Sequence, residues 1–304
     1  MQLPLASSHL PGSTLPAPAV QAVEFQTVSR CNGHCYICPW PDIRGHEGLK
    51  AMPAEIWERL VDGLAQLQPT RVIPYLNNEP LLDQGLEDRI AEIRELLPES
   101  EIEISTNGIL LTPARTERLL RAGMTDLHVS IFGWDGDSQR RIMGLDYDRV
   151  CANVDAALKL RDTLAPEAVV RVIQVAIPGL NEDALDRALA AWEERGAAVD
   201  RYGYLDRSGN VPEDVQGGPQ RDRTLAPRGC ELNRHRERMY VFVDGTVTFC
   251  CHDWRRRWPM GSLEQRSLVD IWEGEDYRHL RAQVDGRAPS AEDFLCRSCK
   301  LCLN

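Results

Sequence analysis

No stretch of this 304-residue chain holds the about 18 uninterrupted apolar residues that a membrane-spanning helix requires, so no membrane partner is expected. Positive charge is in short supply: 35 Lys and Arg against 46 Asp and Glu leave a net charge of −11. Binding nucleic acid draws on clustered Lys and Arg, so that class of activity is set aside. The run Arg255 to Arg257 is short enough to be a solvated turn. Residues 1–20 contain no Lys or Arg and no compact apolar segment; they lack the parts of a secretion signal and read as a flexible tail. A cytoplasmic protein without internal repeats is the expectation.

Cysteine is abundant, with 10 in the chain. In a reducing compartment that number points to metal binding or catalysis rather than to disulfides. Three fall between positions 31 and 38 and six between 230 and 302. Cys151 stands apart in a helical pattern, as a small buried apolar residue.

Between the two groups, β-rich runs alternate with amphipathic ones. Strands are expected at 22–28, 71–76, 101–105, 126–132, 169–176 and 199–205, and helices near 53–67, 83–97, 112–122, 146–164 and 181–195. Six such units predict an α/β fold, a partial (β/α)6 barrel over 21–205, with ligands at the carboxyl ends of the strands. The polar, Gly- and Pro-rich stretch 206–229 reads as a linker or a loop over the barrel mouth. Beyond it, 230–304 is expected to form a small domain, a β-hairpin turning at Asp244-Gly245 and a helix near 267–284.

Cys31, Cys35 and Cys38 follow the first strand with spacing CxxxCxxC. Three thiolates on one short loop can hold three irons of a 4Fe–4S cluster and leave the fourth open to a small molecule. Zinc, with His34 or His46 as fourth ligand, is the other reading of these residues alone. Three further segments sit at later strand ends: Asn77-Asn78-Glu79-Pro80, Ser105-Thr106-Asn107-Gly108 and Ile177-Pro178-Gly179-Leu180-Asn181-Glu182.

Together these segments resemble the radical S-adenosylmethionine (SAM) superfamily, whose cysteine signature is CxxxCxΦC with Φ usually aromatic. Here Φ is Ile37, and the aromatic Tyr36 stands one place earlier. The resemblance covers about residues 22–205. It implies that SAM binds the open iron and is reductively cleaved to a 5′-deoxyadenosyl radical, with flavodoxin or ferredoxin as a typical external electron donor. It also implies contacts to SAM from Asn77, Asn78, Glu79 and Pro80 (amino group), from Thr106 and Asn107 (ribose), and from Ile177, Gly179 and Glu182 (adenine). Ser130, at the end of the fourth strand, faces the same crevice, and Arg141 is a candidate partner for the SAM carboxylate.

The distal cysteines are similar to the SPASM/twitch extension of the same superfamily. Cys230 is followed after 14 intervening residues by Gly245 and, after four more, by Cys250; Cys296, Cys299 and Cys302 repeat at every third position. The chain lacks the longer cysteine run of a complete SPASM domain, so one auxiliary 4Fe–4S cluster of the twitch type is implied. Its expected ligands are Cys230, Cys250, Cys296 and Cys299, with Cys302 able to replace one of them. Zinc is again the other reading of four thiolates. Cys251 is left over, either packed beneath the cluster or donating a hydrogen atom to a substrate radical.

Enzymes of this extended type include an aminoglycoside-inositol dehydrogenase, the molybdenum-cofactor cyclase and peptide maturases. About twenty residues precede the first strand, fewer than a leader-binding domain needs, and the chain ends Leu303-Asn304 without a Gly-Gly tail. A small-molecule substrate such as a sugar or nucleoside is therefore expected ahead of a peptide to be epimerised or crosslinked. Candidate substrate contacts inside the barrel are Glu24, Gln26, Arg171, Gln174, Tyr202, Tyr204 and Asp206. A non-catalytic iron–sulfur or zinc protein on the same scaffold is the alternative of another class.

Overall fold

The structure, a computed structural model, describes residues 17–40, 51–211 and 222–303; most of the expected tail, the centre of the expected linker and His46 lie outside them. All six expected strands form: β1 (Ala22–Phe25), β2 (Arg71–Ile73), β3 (Glu101–Thr106), β4 (Asp126–Ser130), β5 (Val169–Ala176) and β6 (Ala198–Gly203). Each pairs in parallel with the next. The crossovers carry α1 (Ala54–Leu67), α2 (Leu86–Leu96), α3 (Pro113–Arg121), α4 (Gly136–Met143), α5 (Tyr147–Leu164) and α6 (Glu182–Glu194). This is the expected α/β fold, a parallel six-stranded core curled as a partial barrel.

Local chemistry explains the helix starts. Thr112 accepts from the Arg115 N–H with Pro113 in the first turn of α3, and Asp146 accepts from the Arg149 N–H to open α5. Helix α4 was not expected. It is a polar eight-residue piece held by a capping box between Asp135 and Ser138 and closed by Gly144 in the left-handed conformation.

Strand alternation divides the sheet into two faces. Val23, Phe25, Ile102, Ile104, Leu127, Val129, Val170 and Val172 are buried in one apolar core with α1, α2, α3 and α5. Glu24, Glu103, His128 and Arg171 take the other face, the barrel interior. There the charges pair: Arg71 with Glu103 (3.2 Å), His128 with Glu103 (3.3 Å) and Asp126 (3.1 Å), Arg171 with Asp126 (3.9 Å) and Asp200 (3.2 Å).

The C-terminal part continues the same sheet. After the short α7 (Arg234–Glu237), β7 (Arg238–Val241) pairs in parallel with β1. Then β8 (Thr246–Thr248) and β9 (Pro259–Ser262) follow antiparallel, so the order is β6-β5-β4-β3-β2-β1-β7-β8-β9. The expected Asp244-Gly245 turn is present: Gly245 has φ +81°, and the Asp244 side chain accepts from the Thr246 N–H at 3.0 Å. The single helix expected at 267–284 is broken into α8 (Leu268–Trp272) and α9 (Glu275–Val284). Gly274 takes ψ 163° between them, and Arg281 of α9 turns back to donate to the Trp272 carbonyl at 3.0 Å. Helix α8 packs closely on α1: a Cβ at Gly63 would lie 2.6 Å from Leu268 Cδ1.

Candidate active site

The first cysteine group sits on the loop leaving β1, and α4 is what positions it. The His34 N–H donates to the Met143 carbonyl at 2.9 Å and the Tyr36 N–H to the Ile142 carbonyl at 2.8 Å. A Cβ at Gly33 would lie 3.7 Å from both the Cys31 and Cys35 sulfurs, so the two thiols flank one backbone cradle. The Gly33 N–H points at the Cys31 sulfur and the Trp40 N–H at the Cys38 sulfur, each at 3.4 Å. Burial pushes the Cys31 thiol up to about 12 and the Cys35 thiol well above its ordinary range. Thiolates so placed need positive charge beside them, which iron supplies. Among the described residues no three His, Cys, Asp or Glu side chains close on a single ion. Irons at separate corners of a cube ask for thiolates set further apart than one ion does. The residues fit an iron–sulfur cluster.

Of the two residues beside the cluster signature, Ile37 turns inward and Tyr36 outward, 43% exposed. Ile37 and Ile177 share one buried apolar cluster with Phe132, Ile142 and Met143, against which Cys35 packs. On the other side Cys31 and Cys38 pack against Trp40 and Trp254, the latter from the C-terminal part.

The strand ends are tied by two buried side chains. Glu79 accepts from the Leu81 N–H (3.0 Å), the Thr106 hydroxyl (2.6 Å) and the Asn107 N–H (2.8 Å), joining the ends of β2 and β3. Its own N–H donates to the Arg30 carbonyl at 2.8 Å, just before the cysteine loop. Asn181 ties β4 to β5, donating to the Phe132 and Val175 carbonyls at 3.0 and 2.9 Å and accepting from the Ile177 N–H at 2.7 Å. Asn107 reaches Asn32 of the cysteine loop at 2.7 Å. The clamp made by Asn181 and the contact by Asn32 were not foreseen, although Asn181 lies within a segment the sequence had marked. Among the described residues, Asn77 Nδ2 and Asn78 Nδ2 are buried without a partner. Pro80 is buried and Ser130 half-buried, whereas Arg141, Gly179 and Glu182 are exposed, Gly179 donating its N–H to the Glu182 carboxylate at 3.1 Å.

Of the expected substrate contacts, Glu24 and Gln26 face the interior and Arg171 is engaged in ion pairs. Glu24 pairs with Arg238 at 2.8 Å, and burial raises its carboxyl to about 7. Gln174 takes the face of Val170 and Val172, away from the barrel interior. Tyr202 is 49% exposed; Tyr204 and Asp206 are buried, and among the described residues the Tyr204 hydroxyl and Asp206 Oδ2 have no hydrogen-bond partner.

The distal cysteines converge. One cavity is lined by Cys230, Cys250, Cys296, Cys299 and Cys302 together with Ser208, Arg234, His235 and Phe249. Cys230 and Cys302 face each other across a short antiparallel bridge, and the N–H groups of Cys299 and Cys302 donate to the carbonyls of Cys296 and Cys299 (3.2 and 3.1 Å). Cys251 does not line this cavity; it packs against Leu76, Tyr240 and Phe242. The Arg234 guanidinium lies within electrostatic reach of both Cys250 and Cys251.

A parallel partial barrel with three cysteines on its first loop and a second cysteine cavity in the same sheet is the architecture of one class of enzyme. The chain belongs to the radical SAM superfamily: that family's model matches residues 25–191, and the SPASM iron–sulfur cluster-binding domain matches residues 230–302. It is a radical SAM enzyme with a SAM-binding 4Fe–4S cluster, SAM and an auxiliary iron–sulfur cluster. Among curated relatives, the S-adenosyl-L-methionine-dependent 2-deoxy-scyllo-inosamine dehydrogenase of Niallia circulans is 23% identical over 91% of both chains. A GTP 3′,8-cyclase of Synechococcus is 29% identical over 60% of this chain, a match that spans 55% of that enzyme. BtrN, solved with AdoMet and 2-DOIA, has a similar fold (TM-score 0.61, 19% identity, 95% of this chain and 94% of that one). So does Streptococcus suis SuiB bound to precursor peptide SuiA (TM-score 0.68, 15% identity, 94% of this chain and 71% of that one). Among the described residues no helix is long and apolar enough to cross a membrane.

Proposed function

We propose that the enzyme oxidises a small polar molecule, an aminocyclitol, sugar or nucleoside, at an unactivated carbon. The observation that carries this reading is the split between adjacent residues: Cys250 lines the auxiliary cavity, and Cys251 packs against Tyr240 beside the barrel interior. The second cluster site is thus one residue from where a substrate would lie. In this reading Cys31, Cys35 and Cys38 hold the first cluster. Cys230, Cys250, Cys296 and Cys299 hold the second, with Cys302, which lines the same cavity, able to replace one of them. When bound, SAM at the first cluster supplies a 5′-deoxyadenosyl radical given one electron from flavodoxin or ferredoxin, and the auxiliary cluster supplies an electron acceptor.

The chain's own residues do the rest. With SAM bound, Ile37 and Ile177 would wall the adenine, the Asn77 and Asn78 segment would meet the amino group, and Arg141 would be the partner of the carboxylate. Glu79 acts from beneath, holding Thr106 and Asn107 towards the ribose, while Pro80, Ser130, Gly179 and Glu182 complete the rim. Oxidation at a carbon that carries a hydroxyl or amine would remove one hydrogen from the carbon and then the proton of that hydroxyl or amine, and Glu24 is the residue placed to take the proton, with the auxiliary cluster as the electron acceptor. Its buried position and value of about 7 make Glu24 a base near neutral pH.

The test is anaerobic reconstitution, then SAM, dithionite and 2-deoxy-scyllo-inosamine as the first probe. The expected result is about eight irons per chain, 5′-deoxyadenosine, and a product lighter by two hydrogens. A colourless zinc protein that forms no 5′-deoxyadenosine overturns the reading. A second reading is favoured by the place of Cys251 outside the auxiliary cavity: its thiol returns a hydrogen atom to the substrate radical. Turnover in D2O separates the two, since hydrogen return labels the product without changing its oxidation level. Cys251→Ala that keeps both clusters and full turnover removes this second reading.

A further inference from the structure

An oriented hydrogen-bond chain ends at Cys299, and none of the roles above uses it. Ser208 and Cys299 line the same cavity, and the Ser208 hydroxyl acts on the Cys299 thiol as a hydrogen-bonding neighbour that lowers it. His252 Nδ1 lies 3.0 Å from Ser208 Oγ and 3.9 Å from the Cys299 sulfur. Across the ring, His252 Nε2 lies 3.3 Å from Arg234 Nη1. A guanidinium has donors alone, so Nε2 accepts and the single ring proton sits on Nδ1. Nδ1–H then donates to Ser208 Oγ, which leaves the hydroxyl proton for the sulfur. Every hydrogen bond points from Arg234 towards Cys299.

The backbone holds Ser208 in place at a cost. Arg207, Ser208 and Gly209 have φ of +51°, +59° and +78°, and two non-glycine residues in succession in this region are unfavourable. Asp206 accepts from the Ser208 N–H at 3.0 Å, and Asn210 donates to the His252 carbonyl at 2.9 Å, fastening the loop to the residues after Cys250. Such strain persists where surrounding contacts over-determine it, and here its effect is to bring a hydroxyl onto a cluster cysteine.

We propose that Arg234, His252 and Ser208 raise the reduction potential of the auxiliary cluster through Cys299. Hydrogen bonds to cluster sulfurs and nearby positive charge stabilise the more negative, reduced state. The proposal rests on the reading that Cys299 is a ligand of that cluster. Ser208 and His252 are positioning residues; neither touches the substrate. The far end of the chain, Arg234, is electrostatically coupled to Cys251, Tyr240 and Glu24.

The test is a redox titration followed by electron paramagnetic resonance on the reconstituted full chain. The signal that survives in Cys31→Ala/Cys35→Ala/Cys38→Ala identifies the auxiliary cluster. Ser208→Ala and Ser208→Gly remove the hydroxyl, and the glycine variant also relieves the backbone. Both are expected to keep about eight irons and to lower the auxiliary midpoint by about tenfold in the reduction equilibrium, ~59 mV for one electron. His252→Phe is expected to shift it the same way. An unchanged midpoint in Ser208→Ala overturns the proposal, as does loss of the cluster there, since a residue that only tunes leaves the iron bound. Cys299→Ala separates the premises: if it keeps all the iron, the ligand reading fails and the proposal with it. If it loses about four irons while the Ser208 variants leave the midpoint unmoved, the proposal alone fails.

Discussion

The two cysteine groups are built in opposite ways. Cys31, Cys35 and Cys38 share one short loop, fixed by backbone hydrogen bonds to the end of α4. The second cavity gathers Cys230, Cys250, Cys296, Cys299 and Cys302 from segments far apart in the chain, around a hairpin and a helix broken in two. A site on one loop forms once that loop is seated. A site assembled from distant segments forms with the whole C-terminal fold, so its loss is expected to loosen the protein as well as to remove the metal.

The sharpest way to break the contrast is Cys35→Ala. It is expected to abolish 5′-deoxyadenosine formation and leave about four irons, with thermal unfolding little changed, as read by iron analysis and calorimetry. Cys250→Ala should do the converse: about four irons remain and 5′-deoxyadenosine still forms, but uncoupled from product, and the melting temperature drops. Equal melting shifts in the two variants would erase the distinction. Glu79→Ala removes one carboxylate that three donors share, and about 3–5 kcal/mol of stability should go with it in denaturant unfolding.

The smallest effect concerns pH. Burial raises Glu24 from 4.5 to about 7, so the neutral acid is favoured in the folded state. Its contribution is complete below pH 4.5 and is lost as pH rises through about 7. Over that interval the folded state should lose at most ~3 kcal/mol relative to the unfolded chain. Glu24→Gln should flatten the stability curve between pH 5 and 8, and an unchanged slope would place the raised group elsewhere.

Much of this was legible from residue order alone. The six strands announced themselves as short apolar runs between helical patterns, and the motif residues fall where parallel strands end. Helix α4 was not visible, because eight mostly polar residues carry too few apolar positions to show a period. The break at Gly274 hid inside a continuous helical pattern, since what enforces it is Arg281 reaching the Trp272 carbonyl. Ser208 and His252 had no local signature at all; their importance comes from a contact between residues 44 apart. Gln174 looked like a pocket residue until the alternation of β5 put it with Val170 and Val172.

The pairing of β7 with β1 bears on how this protein can be divided. Strand β1 is an interior strand, flanked by β2 and β7. A chain cut before Cys230 would turn β1 into an open edge of unpaired N–H and C=O groups beside the first cysteine loop. Such an edge invites association with a second copy, so the barrel expressed by itself is expected to aggregate. The C-terminal hairpin thus serves as a solubility device for the catalytic half, whatever metal it carries.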